Sequence, residues 1–247
     1  MAGAPTADLL DVAREAARAA GELLLPRFGR ERALASKSSP TDWVSAADLA
    51  AEEPIRAVLA ARRPDDGVLG EEGTGDLAGT TGLRWVVDPL DGTVNYLYGL
   101  PQWCVSVAVE DVAAGETLAG VIYDPVRDEE FASDAELPGS SCTELGHALV
   151  ATGFGYESEV RRAQAAIVAR ILPEVRDVRR AGSAALDLAW LAAGRLDAYY
   201  ERGVQPWDVA AGLLLCARAG LQVRELDPPG VLVAPAAILD ALAALVG

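Results

Sequence analysis

Trp85-Val86-Val87-Asp88-Pro89-Leu90-Asp91-Gly92-Thr93-Val94-Asn95-Tyr96 is the stretch on which the reading of this chain turns. Its apolar beginning has the composition of a buried β-strand. Pro89 biases Asp88 towards extended backbone, so the strand carries the first carboxylate to its C-terminal end, where ligands bind in layered α/β proteins. Asp91 follows closely enough for both carboxylates and the Leu90 carbonyl to grip one or two hard cations. Gly92 has no side chain to block close approach, and a helical turn opening at Thr93 would offer free N–H groups to an anion. Carboxylates beside an anion cradle are compatible when a divalent metal such as Mg²⁺ joins them. Taken alone, Asp-x-x-Asp-Gly also fits a turn followed by a helix cap.

Working outward, Val68-Leu69-Gly70-Glu71-Glu72 reads as a short strand ending at Glu71. Trp207-Asp208-Val209-Ala210-Ala211-Gly212 puts Asp208 in the first turn of a helix opened by Pro206, where an acid also offsets the helix dipole. An amphipathic helix is predicted from Leu9, ending near Pro26 to Gly29, then a polar loop over 36–40. Ser45-Ala46-Ala47-Asp48 has the form of a capping box opening a second helix, with a kink at Pro54. Segments 103–109, 118–123 and 129–132 read as an antiparallel meander. Strands and helices alternate afterwards, ending in a last helix, with Gly220 as a C-terminal stop for the helix over 206–219. This order predicts an α/β (layered α+β) protein: two stacked sheets with helices between and outside them, an alternating α-β-α-β-α sandwich. No internal repeat or linker divides it, so one domain is expected over 1–247, with lobes of about 1–145 and 146–247.

Composition narrows the function. The 247 residues carry a formal net charge of -16, with 37 acids against 21 bases. That balance argues against a nucleic-acid backbone or an anionic membrane as partner. A single His excludes His-rich metal centres, and Cys104, Cys142 and Cys216 lack zinc spacing and read as core fillers. Scattered thiols without a signal-peptide pattern predict a cytoplasmic protein. The uncharged run 92–109 is broken by Asn95, Gly99, Pro101 and Gln102, so no membrane span is expected. Lys37 and Asn95 are the only Lys and the only Asn in an Arg- and Ala-rich chain. Gly73-Thr74-Gly75-Asp76-Leu77-Ala78 mimics a dinucleotide fingerprint, but Gly79-Thr80-Thr81-Gly82 follows where a helix should.

Gly70-Glu71-Glu72, the run from Trp85 to Tyr96 and the run from Trp207 to Gly212 resemble, in order, motifs of the inositol monophosphatase family. Lys37-Ser38-Ser39-Pro40, Val44-Ser45-Ala46-Ala47-Asp48 and Gly182-Ser183-Ala184-Ala185 through Asp197-Ala198-Tyr199-Tyr200-Glu201 match as well. The likeness is greatest to bacterial members of the actinobacterial kind. It implies the inositol monophosphatase/fructose-1,6-bisphosphatase-like fold and two to three Mg²⁺. Glu71, Asp88 and the Leu90 carbonyl would hold one ion; Asp88, Asp91 and Asp208 a second; Glu71 would help with a looser third. Thr93 and Asp48 would orient and help deprotonate the attacking water, with Glu71 beside them and Lys37 near the third ion. Asp91, Gly92, Thr93, Gly182, Ser183, Ala184, Glu201 and Asp208 would bind substrate.

The activity so implied is Mg²⁺-dependent, Li⁺-sensitive hydrolysis of myo-inositol monophosphate to inositol and phosphate by direct attack of metal-activated water. Histidinol phosphate, fructose 1,6-bisphosphate or a phosphorylated nucleotide are the alternative substrates, and a regulatory binding protein retaining the fold is the alternative class. The partner is a small phosphorylated polyol, with no nucleic acid or membrane, and the expected assembly is a homodimer. One departure stands out: segment 133–146 is shorter than the Gly-rich hairpin usual in the family. It bears on the sheet edge and any dimer contact built there, away from the catalytic motifs.

Overall fold

The computed structural model describes residues 6–30, 33–36, 43–72 and 77–247. Helix α1 (Thr6–Leu24) buries Leu9, Leu10, Val12, Ala13, Ala16, Ala17, Ala20 and Leu24 along one face, as the three-to-four spacing of its apolar residues requires. A strand pair the sequence reading did not anticipate follows: β1 (Ala33–Ser36) runs antiparallel to β2 (Trp43–Ser45). The serines there look like loop composition, and pairing between the flanking segments supplies what propensity does not. Helix α2 (Ala46–Arg62) continues through Pro54.

The first sheet is built in the order β3 (Gly67–Gly70), β4 (Leu83–Asp91), β5 (Cys104–Asp111), β6 (Glu116–Asp124), β7 (Glu129–Ala132). Strands β3 and β4 are parallel, and the rest is the antiparallel meander expected from the sequence. In one respect β4 departs from its sequence reading. It does not stop at Asp88 but runs on to Asp91, with an irregularity between Asp88 and Asp91 before pairing resumes at Asp91 and Cys104. Pro89 lies inside that irregularity, where its missing N–H costs no ladder bond. The short α3 (Thr93–Tyr98) follows at once.

The second sheet is mixed, in the order β11-β12-β10-β8-β9, from β8 (Leu149–Thr152), β9 (Asp177–Arg179), β10 (Ala198–Arg202), β11 (Gln222–Leu226) and β12 (Gly230–Ala234). Its parallel members β8, β9 and β10 are joined through α4 (Ser158–Ile171) and α5 (Ala184–Ala192). Helix α6 (Pro206–Arg218) ends with Gly220 at φ +80°, the left-handed C-terminal stop expected there, and α7 (Ala236–Val246) closes the chain.

Strand alternation sorts the side chains into three cores. Trp85, Val87, Val105, Val107 and Val121 face α1 and α2, whereas Val86, Cys104, Ala108 and Ile122 face α5 and α6 between the sheets. Tyr199, Val231 and Val233 meet that middle core from the second sheet; Val150, Tyr200 and Leu232 point outward onto α4 and α7. The result is the α-β-α-β-α sandwich predicted from the element order. Among the described residues, no helix is long and apolar enough to cross a membrane.

The turn between α2 and β3 is pinned by Asp66. Its carboxylate accepts hydrogen bonds from Arg63 Nε (2.8 Å), Thr81 Oγ1 (2.6 Å) and the buried Trp85 Nε1 (3.0 Å). Burial alone would raise its pKa, but these three donors override it and hold the carboxyl below the ordinary range. A depressed folded-state pKa stabilises above the unfolded value of about 4, and that contribution is lost as pH falls through the folded value. Asp66→Asn should therefore lower the urea midpoint at pH 7, with the gap to wild type closing as pH drops below about 4. A gap independent of pH would assign Asp66 a purely steric role.

Candidate active site

The C-terminal ends of β3, β4, β8, β9 and β10 and the first turns of α3, α5 and α6 meet around a cleft of about 1120 Å³. Asp88, 1% exposed, lies where β4 breaks its register, and its Oδ1 accepts the Leu90 N–H at 3.0 Å. Asp91 Oδ2 takes the Ser183 hydroxyl and the Ala185 N–H, both at 2.7 Å, across from the start of α5. Asp208 Oδ2 accepts the Gln205 N–H at 2.7 Å as the returning half of a capping box on α6. Glu71 lies in the turn after β3 and lines the same cleft.

That acidic turn is fastened by a residue the sequence reading missed. Glu52, buried on α2, accepts the Glu72 N–H at 3.1 Å and the Arg56 guanidinium at 2.6 Å. An acid among the alanines of a helix that also ends in arginines looks like a surface charge, so no sequence signal distinguished it.

Thr93 and Asp48 are brought together as the motif reading anticipated. The Thr93 hydroxyl donates to Asp48 Oδ1 at 2.7 Å, and the Leu90 carbonyl lies farther away at 3.3 Å. One hydroxyl proton cannot serve both well, and the shorter contact takes it. Asp48 is fully buried. Gly92 precedes this pair at φ +98°, and a Cβ there would stand 2.9 Å from the Gln102 carbonyl oxygen, so both backbone angle and space require glycine. Helix α3 is tied down by the Tyr96 hydroxyl on the Leu24 carbonyl (2.8 Å) and by the edge-on packing of Tyr96 against Trp103. Asn95, the lone Asn, donates from Nδ2 to the Gln102 carbonyl (2.6 Å) and the Ala181 carbonyl (2.9 Å). It thereby clamps the loop that carries Gly182 against the loop that follows α3.

On the opposite wall, Glu201 Oε2 accepts the Tyr199 hydroxyl at 2.8 Å. A Cβ at Gly153 would fall 2.0 Å from that carboxylate, so Glu201 occupies the space a side chain there would fill. Gly182, Ser183 and Ala184 line the cleft beside it, and Ser183 also caps α5 by accepting the Leu186 N–H. Lys37 lies outside the described residues. Asp187, absent from the sequence reading, also lines the cleft; it is 2% exposed, and its Oδ1 has no hydrogen-bond partner. The available signal was its setting, one acid inside the otherwise apolar Ala184–Ala192 helix.

Electrostatically the site is overloaded. Burial, then the charges of Glu71, Asp91 and Asp208, push the Asp88 carboxyl well above the ordinary range. Burial also raises Asp91, and the bonds from Ser183 and Ala185 offset this only in part; the group comes to about 7. Asp208 is raised by burial and by Asp91 despite its bond from Gln205. Glu201 is raised by burial against the opposing effects of Tyr199 and Arg180.

The sequence profile of the inositol monophosphatase family matches residues 6–243. The chain belongs to the inositol monophosphatase family. It is 46% identical over 213 residues to inositol-1-monophosphatase SuhB of Mycobacterium tuberculosis, covering 79% of this chain and 73% of that protein. It is also 39% identical over 224 residues to the Nus factor SuhB of Escherichia coli, covering 86% of this chain and 83% of that one. Among solved structures, the extragenic suppressor protein suhB of Bartonella henselae superposes with a TM-score of 0.88 at 33% identity, over 96% of this chain and 98% of that one.

For a member of this family the donor chemistry fits hard divalent cations: the acids at the cleft floor are all-oxygen ligands, crowded and buried. They are not already drawn onto one point, since among the described residues no three His, Cys, Asp or Glu side chains form a ready metal-binding group. Raised folded-state pKa values mean that ionisation destabilises the folded protein as pH rises through about 7. At pH 8.5 without divalent cations, Asp88→Asn keeps an acceptor for Leu90 and removes one charge. It should melt at least roughly 2 °C higher than wild type, the shift that about 1 kcal/mol gives in a chain of this size. A lower melting temperature would contradict the repulsion.

Proposed function

We propose that the protein is a Mg²⁺-dependent phosphomonoesterase that hydrolyses a small polyol phosphate, myo-inositol monophosphate first among them. The observation that carries this reading is the 2.7 Å Thr93–Asp48 hydrogen bond standing beside the acids Glu71, Asp88, Asp91 and Asp208 in one cleft. Family membership supports the phosphatase chemistry.

Glu71, Asp88, the Leu90 carbonyl, Asp91 and Asp208 are the ligands for two to three Mg²⁺. When bound, the ions would supply charge that acidifies water and neutralises phosphoryl oxygens. The remaining work falls to the chain. The Thr93 hydroxyl, already donating to Asp48, accepts a hydrogen bond from the attacking water and sets it in line with phosphorus. As the water oxygen bonds to phosphorus, its proton moves to Thr93 Oγ1 and the Thr93 proton moves to Asp48 Oδ1. The P–O bond to the polyol breaks, and the leaving alkoxide takes a proton from solvent water, giving free polyol and phosphate. Backbone N–H groups at Gly92 and Thr93 receive the phosphoryl oxygens. Glu201, with Oε2 held by Tyr199, offers its other oxygen to a substrate hydroxyl, and Gly182, Ser183 and Ala184 leave room for a compact ring. We take the active form to be a cytoplasmic homodimer, with no nucleic acid or membrane as partner.

Asp91→Asn should abolish Mg²⁺-dependent phosphate release while leaving circular dichroism unchanged. Thr93→Ala should lower kcat about 10–100-fold, as losses in the shell around a metal site do. Near-normal turnover in Asp91→Asn would remove the metal assignment. A panel of inositol, histidinol, fructose and nucleotide phosphates, with and without Li⁺, sets the substrate; a kcat/KM for histidinol phosphate far above that for the inositol ester would replace our choice. The E. coli relative's designation as a Nus factor favours a second reading, a regulatory binding role on the same fold. Its test is capture of a stoichiometric partner by Asp91→Asn protein.

A further inference from the structure

Glu52 is a buried acid that neither the metal-ligand set nor the Thr93–Asp48 pair uses. A Glu four residues before an Arg on a helix is commonly a solvated surface pair, whereas Glu52 is 3% exposed and does not line the cleft. Its carboxylate is pressed against the end of β3: a Cβ at Gly70 would stand 3.0 Å from both of its oxygens. There Oε2 accepts the Glu72 N–H at 3.1 Å, while Oε1 takes the Arg56 Nε–H at 2.6 Å. On the other side of the turn, the Glu71 N–H donates to the Val87 carbonyl at 3.3 Å, one residue before Asp88. Both amides flanking the Glu71 Cα are therefore fixed, one to β4 and one to α2. One helical turn before Glu52, the same helix carries Asp48, the acceptor of the Thr93 hydroxyl. Helix α2 thus joins two parts of the cleft, the water-orienting pair through Asp48 and the Glu71 turn through Glu52.

We propose that Glu52 is a positioning residue for the metal site. Anchored by Arg56, its carboxylate holds the peptide after Glu71, so that Glu71 is presented to the cations at a fixed reach from Asp88 and from the Thr93–Asp48 pair. What this role requires is an acceptor oxygen at the right reach rather than a negative charge, because the group it holds is a neutral amide. The assignment rests on the ligand set of the phosphatase reading above and deepens it.

The test is titration calorimetry of Mg²⁺ into the metal-free proteins, with melting temperatures recorded on the same samples. Glu52→Ala should weaken Mg²⁺ binding about 10–100-fold, the scale on which groups that orient metal ligands act. Glu52→Gln gives up the charge but keeps an oxygen for the Glu72 N–H, and should bind nearly as wild type does. Glu52→Asp keeps the charge but retracts the carboxylate by one methylene, and should lose affinity as Glu52→Ala does. In a Glu71→Gln background, Glu52→Ala should add little further loss, since the ligand it aims is already gone. Affinity that follows charge, with Glu52→Asp near wild type and Glu52→Gln weakened, would overturn the proposal. Equal losses with and without the Glu71 carboxylate would overturn it too. Should Glu52→Ala melt without a cooperative transition, the Gln and Asp variants decide alone. Wild type with no saturable Mg²⁺ binding would overturn the ligand set and this assignment together. Wild type that binds, with every Glu52 variant unchanged, would overturn the assignment alone.

Discussion

Repulsion among buried carboxylates is the constraint around which this molecule is arranged. Two unit charges about 4 Å apart near a protein surface repel by roughly 4 kcal/mol, and the cleft holds Asp88, Asp91 and Asp208 with Glu71 and Glu201 at its edges. The protein answers in part with fixed dipoles. Helices α3, α5 and α6 all begin at the cleft, and N–H groups of Leu90, Ala185 and Gln205 are each spent on one of these acids. Helix N-termini contribute about 0.3–1 kcal/mol each at exposed positions, so they cannot cancel several interacting charges. The raised pKa values of Asp88, Asp91 and Asp208 are the remainder. Bound cations would neutralise that remainder.

The three cores give that cluster a frame that resists collapse or splaying. Acids at the ends of β3, β4 and β10 stand on strands packed on both faces, and Asp208 starts a helix wedged between the two sheets. Position is set by backbone rather than by long loops. The lone Asn95 extends this rule, joining the loop after α3 to the Gly182 loop with one amide.

Much of this was legible in the chain because the site uses local chemistry. Strand, Pro, Asp and Gly in Trp85–Tyr96 announce a carboxylate delivered to a strand end and a helix opening beside it; the helix opens at Thr93, and the strand ends at Asp91 rather than Asp88. The sandwich follows from the change from meander to alternation. What escaped depended on distant partners. The β1–β2 pair is stabilised by its pairing, not by strand-like composition. Pro89 suggested the end of a strand, but the antiparallel neighbour β5 carries pairing past it. Glu52 and Asp187 look like ordinary helix acids until the fold buries one beneath the acidic turn and the other in the cleft wall. Periodicity identifies which face of a helix is apolar, but not which single acid on it the fold buries.

Titration calorimetry of Mg²⁺ into metal-free protein at pH 7, repeated in buffers of different ionisation enthalpy, tests the central claim most directly. Carboxyls whose pKa values have been lifted by crowding must give up protons when a cation binds them. The account predicts saturable binding with a heat that varies with the buffer, revealing proton release, and both lost in Asp91→Asn. Absence of binding, or binding with a buffer-independent heat, would contradict it.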